Sequence, residues 1–171
     1  MKAIETFWKI FDNILKILLY VSALIVLVTA IGVSVDTLMR YFFSISFTSI
    51  FELTEFGLLW MTFLGAPWLL KIHGHIQIDI VTSHLSERYR YITQVITAII
   101  SGLLLLAMTF YSTKLMLIDF QTGYKLAGVL RATKWPIEIV IPIGFLLLFI
   151  QSVRNSVEQL KMQESKSNLL L

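Results

Sequence analysis

Residues 91–113 read YITQVITAIISGLLLLAMTFYST, 23 positions without a charged side chain. A helix rises about 1.5 Å per residue, so this run reaches roughly 35 Å, enough to cross a hydrocarbon core of about 30 Å. Three similar blocks surround it. Ile17 to Val35 carries no charge over 19 positions. Phe56 to Leu70 is uncharged, with Glu52 and Glu55 in the first turns of a segment that begins near Ser49. A last block opens at Trp135-Pro136 and closes near Arg154. Hydrophobic residues make up 57% of the 171 and charged residues 15%, far from the balance of a soluble domain.

An open strand edge in lipid leaves backbone groups unpaired, so each block is read as a helix. The fold class is an all-α membrane protein: four transmembrane helices, spans about 14–37, 49–71, 90–116 and 135–154, in a single domain over 1–160. A polar tail, 161–171, is expected to fray. The first block is too long for a secretory h-region and lacks a small-x-small cleavage site, so it reads as an uncleaved span. Pro136 suits a first turn, and Pro142 is expected to kink the fourth span. Between spans two and three, His75 to Tyr89 mixes apolar and polar positions and suits a short interfacial helix.

Lys2, Lys9, Lys16, Lys71, Arg88, Arg90, Arg154, Lys161 and Lys166 fall on one side of the membrane. Arg40, Lys114, Lys125, Arg131 and Lys134 fall on the other. The heavier side is the cytoplasmic one by the positive-inside rule, which places both termini inside. Trp8, Trp68 and Trp135 fall near interfaces, whereas Trp60 is mid-span and is expected to pack against another helix.

The chemistry-bearing patterns are sparse. No phosphate-binding loop, nucleophile elbow or His-Glu-x-x-His metal motif is present, so the chain does not read as an enzyme. The absence of cysteine excludes disulfides and cysteine-ligated metals. His73, His75 and His84 all lie in the second loop, where His75 and Asp79 could pair but too few ligands converge for a metal. No cofactor is expected. The basic residues are dispersed between the apolar blocks, which argues against nucleic acid.

The middles of the spans are uncharged, and embedded ionisable groups are what mark ion and substrate pathways. The chain therefore does not read as moving a substrate alone. Charges gather instead at the outward ends of the first two spans. Asp36 and Arg40 share a helix face, as do Glu52 and Glu55, and an Arg40–Glu52 ion pair is expected to tie span one to span two. Gly57 with Gly65, and Ala98 with Gly102, place small residues on shared faces where helices can approach.

The segment from Arg40 to Val81 contains Arg-Tyr-Phe-Phe, Phe-Glu-Leu-Thr-Glu, Leu-Leu-Trp-Met-Thr-Phe-Leu-Gly-Ala and His-Gly-His-Ile-Gln-Ile-Asp-Ile-Val. It resembles the small membrane subunit, DctQ type, of the tripartite ATP-independent periplasmic (TRAP) transporters. The positions that carry the resemblance are Arg40, Glu52, Trp60, Phe63, Leu64, Gly65, Ala66, His75, Ile76 and Asp79. Trp135-Pro136 and Ile141-Pro142-Ile143-Gly144 are similar to the family's Pro-Ile-Gly segment. Pro67 stands where family members often have a small residue, and Glu55 where they often have a basic one.

The resemblance implies a bacterial inner-membrane accessory subunit of a sodium-coupled importer of organic anions such as carboxylates. Its implied partners are a large membrane subunit that carries the substrate and sodium sites, and a periplasmic substrate-binding protein. The outward loops, 41–50 and 119–134, are the expected contact with that binding protein, with Lys125, Arg131 and Lys134 as candidate docking charges. Two rival readings are a homodimeric four-helix exporter, which calls for a mid-span carboxylate, and a respiratory membrane anchor, which calls for histidines within the spans.

Overall fold

The computed structural model describes the backbone of residues 2–73 and 87–169, and the side chains of 5–72, 89, 92–93 and 95–159. Its helices are α1 (Lys2–Phe43), α2 (Thr48–His73), α3 (Glu87–Thr122), the single turn α4 (Trp135–Glu138) and α5 (Val140–Leu169). Among the described residues, four stretches are long and apolar enough to cross a membrane: Glu5–Phe43, Thr48–Ile72, Val95–Thr122 and Trp135–Gln159. The last of these joins α4 to α5. The all-α, four-span architecture is thus as expected. His75, Asp79 and the expected interfacial helix lie outside the described residues.

The helices outrun the apolar runs that identify them. Helix α3 continues eight residues past Lys114 to Thr122, because no glycine or proline interrupts it before Gly123. Gly123 then takes a left-handed conformation, φ 62°, which ends the helix without a Cβ penalty. Helix α5 runs past Arg154, where the apolar block closes, to Leu169, and so takes in most of the tail 161–171 that was expected to fray; its last two turns contain neither glycine nor proline. At the end of α1, Ser44 is left-handed (φ 55°) and its N–H donates to the Arg40 carbonyl at 3.1 Å, an αL cap that turns the chain toward α2.

Packing follows the order α1–α2–α5–α3. Helix α1 packs on α2, α2 on α5 and α5 on α3, while α1 and α3 share no comparable contact. The four spans form an open row, not a closed ring. The core is correspondingly thin. Leu15, Phe11, Leu64 and Val140 are its buried hydrophobics, while large apolar side chains from Phe7 to Phe43 on α1 and from Tyr89 to Phe120 on α3 are exposed. In a membrane such faces meet lipid or another protein.

Lipid gives no hydrophobic drive for helix association, so close backbone approach decides where these helices meet. Gly57 and Gly65 both face α1, as their spacing indicates. A Cβ on Gly57 would lie 2.6 Å from Thr29 Cγ2, and one on Gly65 would lie 3.0 Å from Ser22 Oγ. Ser22, itself buried, donates to the Met61 carbonyl at 2.9 Å and ties α1 to α2. Gly102 faces α5 at an ordinary 3.7 Å from Phe149.

The tightest approach is between α2 and α5. Pro67, fully buried, lacks the N–H that would bond the Phe63 carbonyl. That carbonyl faces Gly144, where an added Cβ would stand 3.0 Å from it and 2.7 Å from Phe63 Cδ1. Pro142 acts in a similar way. It cannot bond the Glu138 carbonyl, and the helix breaks at Ile139, between α4 and α5. Several hydroxyls within the spans bond carbonyls one turn back, as Thr29 does to Ile25 (2.8 Å), Thr62 to Leu58 (2.7 Å) and Thr109 to Leu105 (2.8 Å), which satisfies them without a partner helix.

Candidate docking surface

The two connections 44–47 and 123–134 lie at the same end of the row, and side chains from α1 and α2 hold them. Asp36, 8% exposed, accepts from the Phe47 N–H at 2.8 Å and pairs with Arg40 Nη2 at 2.6 Å. One carboxylate therefore clamps the α1–α2 turn and neutralises the arginine on its own helix.

Arg40 is not paired with Glu52, contrary to the expectation from sequence. The i,i+4 partner on α1 is nearer, and Glu52 is engaged elsewhere. Its carboxylate accepts from the backbone N–H groups of Val129 and Leu130, the latter at 3.0 Å. Gly128 makes this possible, since a Cβ there would stand 2.7 Å from both Glu52 oxygens. The loop folds back on itself as a small hairpin. Leu126 N–H donates to the Ala132 carbonyl (2.9 Å), Lys134 N–H donates to the Tyr124 carbonyl (3.0 Å), and Arg131 turns the chain at φ 44°. Glu55, one turn on from Glu52, is exposed and makes no ion pair among the described residues.

The hairpin presents Val129, 65% exposed, with Leu130, Lys125 and Arg131 at the surface. Lys134 is different. Its ammonium lies 2.8 Å from Asp119 and 3.0 Å from Glu138, and it stands over the Tyr124 ring. The hydrogen bond to Asp119, and then that to Glu138, holds its pKa above the usual lysine value. Its charge is neutralised within the chain, bracing α3 against α4, so the uncompensated cations of the loop are Lys125 and Arg131. Trp135 packs edge-on against Phe120 beside this brace, with ring centroids 5.2 Å apart.

Trp60 does pack against another helix. Its Nε1–H donates to the Ile137 carbonyl at 3.2 Å, next to the break that precedes Pro142. Gly65 lies on the α1 face of α2, as above. The sequence motif residues therefore resolve into joints: Arg40 at the α1–α2 turn, Glu52 under the hairpin, Trp60 between α2 and α4, Pro142 at the α4–α5 break, and Gly65 at the α1–α2 crossing.

Glu52→Ala is expected to free the hairpin while leaving the spans in place. Hydrogen exchange of the Val129 and Leu130 amides should accelerate by about tenfold or more, with Glu52→Gln intermediate. Unchanged exchange at these two amides would show that Glu52 does not hold the loop.

The opposite end contains a joint that sequence reasoning missed. Asp12 on α1 lies 2.6 Å from Arg154 Nη1 on α5 and 2.9 Å from Lys71 Nζ on α2. Arg154 also bonds Glu158 at 3.0 Å and stacks over Trp8, while Lys71 stands over Trp68. Beside it, buried Gln151 donates to Asn155 (2.7 Å), which donates to the Leu70 carbonyl (2.9 Å). The signal available in the sequence was a lone acid, Asp12, between Lys9 and Lys16 at the start of an apolar span.

The model of the DctQ component of tripartite ATP-independent periplasmic transporters matches residues 29–162. The chain belongs to that family. A comparison with curated proteins gives no match. The DctQ match takes in α2 to α4, both loop connections and α5 as far as 162, together with the motif positions named above. The Asp12 joint links α1 residues ahead of the matched region to Lys71 and Arg154 within it. The family is one of transporter components and not of enzymes, and the four spans make this DctQ chain a multi-pass membrane protein.

Proposed function

We propose that this DctQ chain is the accessory membrane subunit of a sodium-coupled importer of organic anions, and that its work is packing and docking. The open row carries this reading. Four spans that do not close on themselves leave long apolar faces on α1 and α3, and a large membrane subunit is the partner that would cover one of them. In this reading the large subunit holds the substrate and sodium sites. The chain sits in the bacterial inner membrane with its termini in the cytoplasm, as the charge distribution indicates.

The hairpin 123–134 then faces the periplasm and receives the binding protein. Pinning by Glu52 and by the Lys134 brace favours docking, because a preordered loop loses less entropy on contact. Val129 and Leu130 supply apolar contact, while Lys125 and Arg131 supply steering charge. Reversing both charges, Lys125→Glu with Arg131→Glu, is expected to slow uptake by reconstituted transporter about three- to tenfold at limiting binding protein and low salt, an effect that fades as salt screens the repulsion. The assay is initial uptake rate against binding-protein concentration at two ionic strengths. Identical curves for variant and parent would exclude the hairpin from docking.

A further inference from the structure

The base of the hairpin rests on one lysine and two acids. Lys134 Nζ lies 2.8 Å from Asp119 Oδ2 at the end of α3 and 3.0 Å from Glu138 Oε1 on α4. Backbone pairing closes the hairpin beside them, through the Lys125–Thr133 bridge and the bond from the Lys134 N–H to the Tyr124 carbonyl. One cation faces two carboxylates, so the fully ionised cluster carries an unbalanced negative charge. Only 14% of the Asp119 side chain and 21% of that of Glu138 are accessible, which makes such a charge costly.

The two carboxylates also lie within hydrogen-bonding reach of each other. Ionised carboxylates are acceptors only, so that contact becomes a bond when one oxygen carries a proton. Glu138 Oε2 is buried and has no hydrogen-bond partner among the described residues, while Lys134 serves the other oxygen. One proton on the pair supplies the missing bond and balances the charge.

The surrounding groups have other roles. Tyr124 turns its ring to the Lys134 ammonium. On α2, Glu52 is bonded to the Val129 and Leu130 amides, and Glu55 is exposed. Lys114 of α3 and Lys125 and Arg131 of the loop are exposed, and α5 carries no charge before Arg154. The three histidines, at 73, 75 and 84, come at or after the opposite end of α2.

We propose that Asp119 and Glu138 share one proton, and that this proton locks the base of the hairpin. Opening the brace parts the acids and releases the proton to water, so the lock tightens as the surrounding medium acidifies. An ordinary ion-pair brace has the opposite sign, because protonating either carboxylate costs it its bond to Lys134. The consequence for docking rests on the reading given above: a locked hairpin stays ordered for the binding protein.

The test is hydrogen exchange of the Lys134 amide in the purified full chain over a pH series, with each rate corrected for the intrinsic rate at that pH. Protection should rise as pH falls, by no more than about tenfold per pH unit, the limit for one proton. Glu138→Gln puts a permanent donor where the proton stands. Its protection should be flat with pH and equal to that of the parent in acid, and Asp119→Asn should reproduce this. Infrared spectra of the parent should show the carbonyl band of a hydrogen-bonded carboxylic acid that both variants lack. Protection that is flat or falls with falling pH in the parent overturns the proposal, as do variants looser than the parent at every pH. Charge reversal at Lys125 and Arg131 probes docking separately, so a failed docking reading leaves the proton lock standing and a failed lock leaves the docking reading standing.

Discussion

Asp12→Ala is expected to be the most damaging single substitution outside the glycines, lowering stability in detergent by about 2–3 kcal/mol. The carboxylate joins three helices. It pairs with Lys71 of α2 and Arg154 of α5, which themselves cover Trp68 and Trp8. Removing it leaves two cations side by side, with Glu158 to offset Arg154 among the described residues. Partial exposure of the cluster, with 28% of the Asp12 side chain accessible, keeps the effect at the low end of what breaking a buried pair costs. Lys71→Met in the Asp12→Ala background should recover part of the loss, because it removes the repulsion. A double-mutant cycle on thermal unfolding measures this, and the expected coupling is about 1 kcal/mol or more. Additive effects within about 0.5 kcal/mol would mean that the three residues do not act as a unit.

Gly144→Val is expected to separate α2 from α5 and to abolish stable folding, while Gly144→Ala should cost about 2–3 kcal/mol, at the upper end of overpacking effects. The reason lies in what a Cβ would meet. Phe63 Cδ1 at 2.7 Å could swing away, but Phe63 Cβ at 2.8 Å and its carbonyl oxygen at 3.0 Å cannot. Only a shift of whole helices relieves them, and that shift would also break the Phe63–Phe145 edge contact and the Trp60–Ile137 hydrogen bond. Gly102→Ala is the control. Its Cβ meets only Phe149 at 3.7 Å, so the better helix propensity of alanine should leave it neutral or more stable by up to about 1 kcal/mol. Gly57→Ala should fall between them, since the Thr29 methyl at 2.6 Å belongs to a side chain already fixed by its bonds to Ile25 and Val26. Equal melting temperatures for Gly144→Ala and Gly102→Ala would refute this account of the α2–α5 crossing.

Features that depend on one segment were legible in the sequence. Run length gave the spans, because hydrocarbon thickness imposes it. Spacing put Gly57 and Gly65 on one face, and depth marked Trp60 as a packing residue. Proline chemistry pointed to the break near Pro142, although the interruption falls three residues earlier, at Ile139, near the carbonyl left without a donor.

Features that depend on which helix stands next to which were not legible. Glu52 was matched to Arg40 because both lie near the same turn, yet the carboxylate holds a loop 77 residues away. Asp12 meets Arg154 across 142 residues, and nothing in either local segment names the other. Lys134 read as a free docking charge until the end of α3 brought Asp119 beneath it. Even the order α1–α2–α5–α3 follows from small-residue contacts whose pairing sequence spacing leaves open.

The central claim is that this chain works as a subunit of a larger membrane assembly. The most direct test is to tag its C-terminus, solubilise membranes in mild detergent and determine which proteins it brings down, and in what ratio. The account predicts a large polytopic membrane protein in fixed stoichiometry with this chain. Recovery of the chain alone, as a stable homodimer, would contradict it.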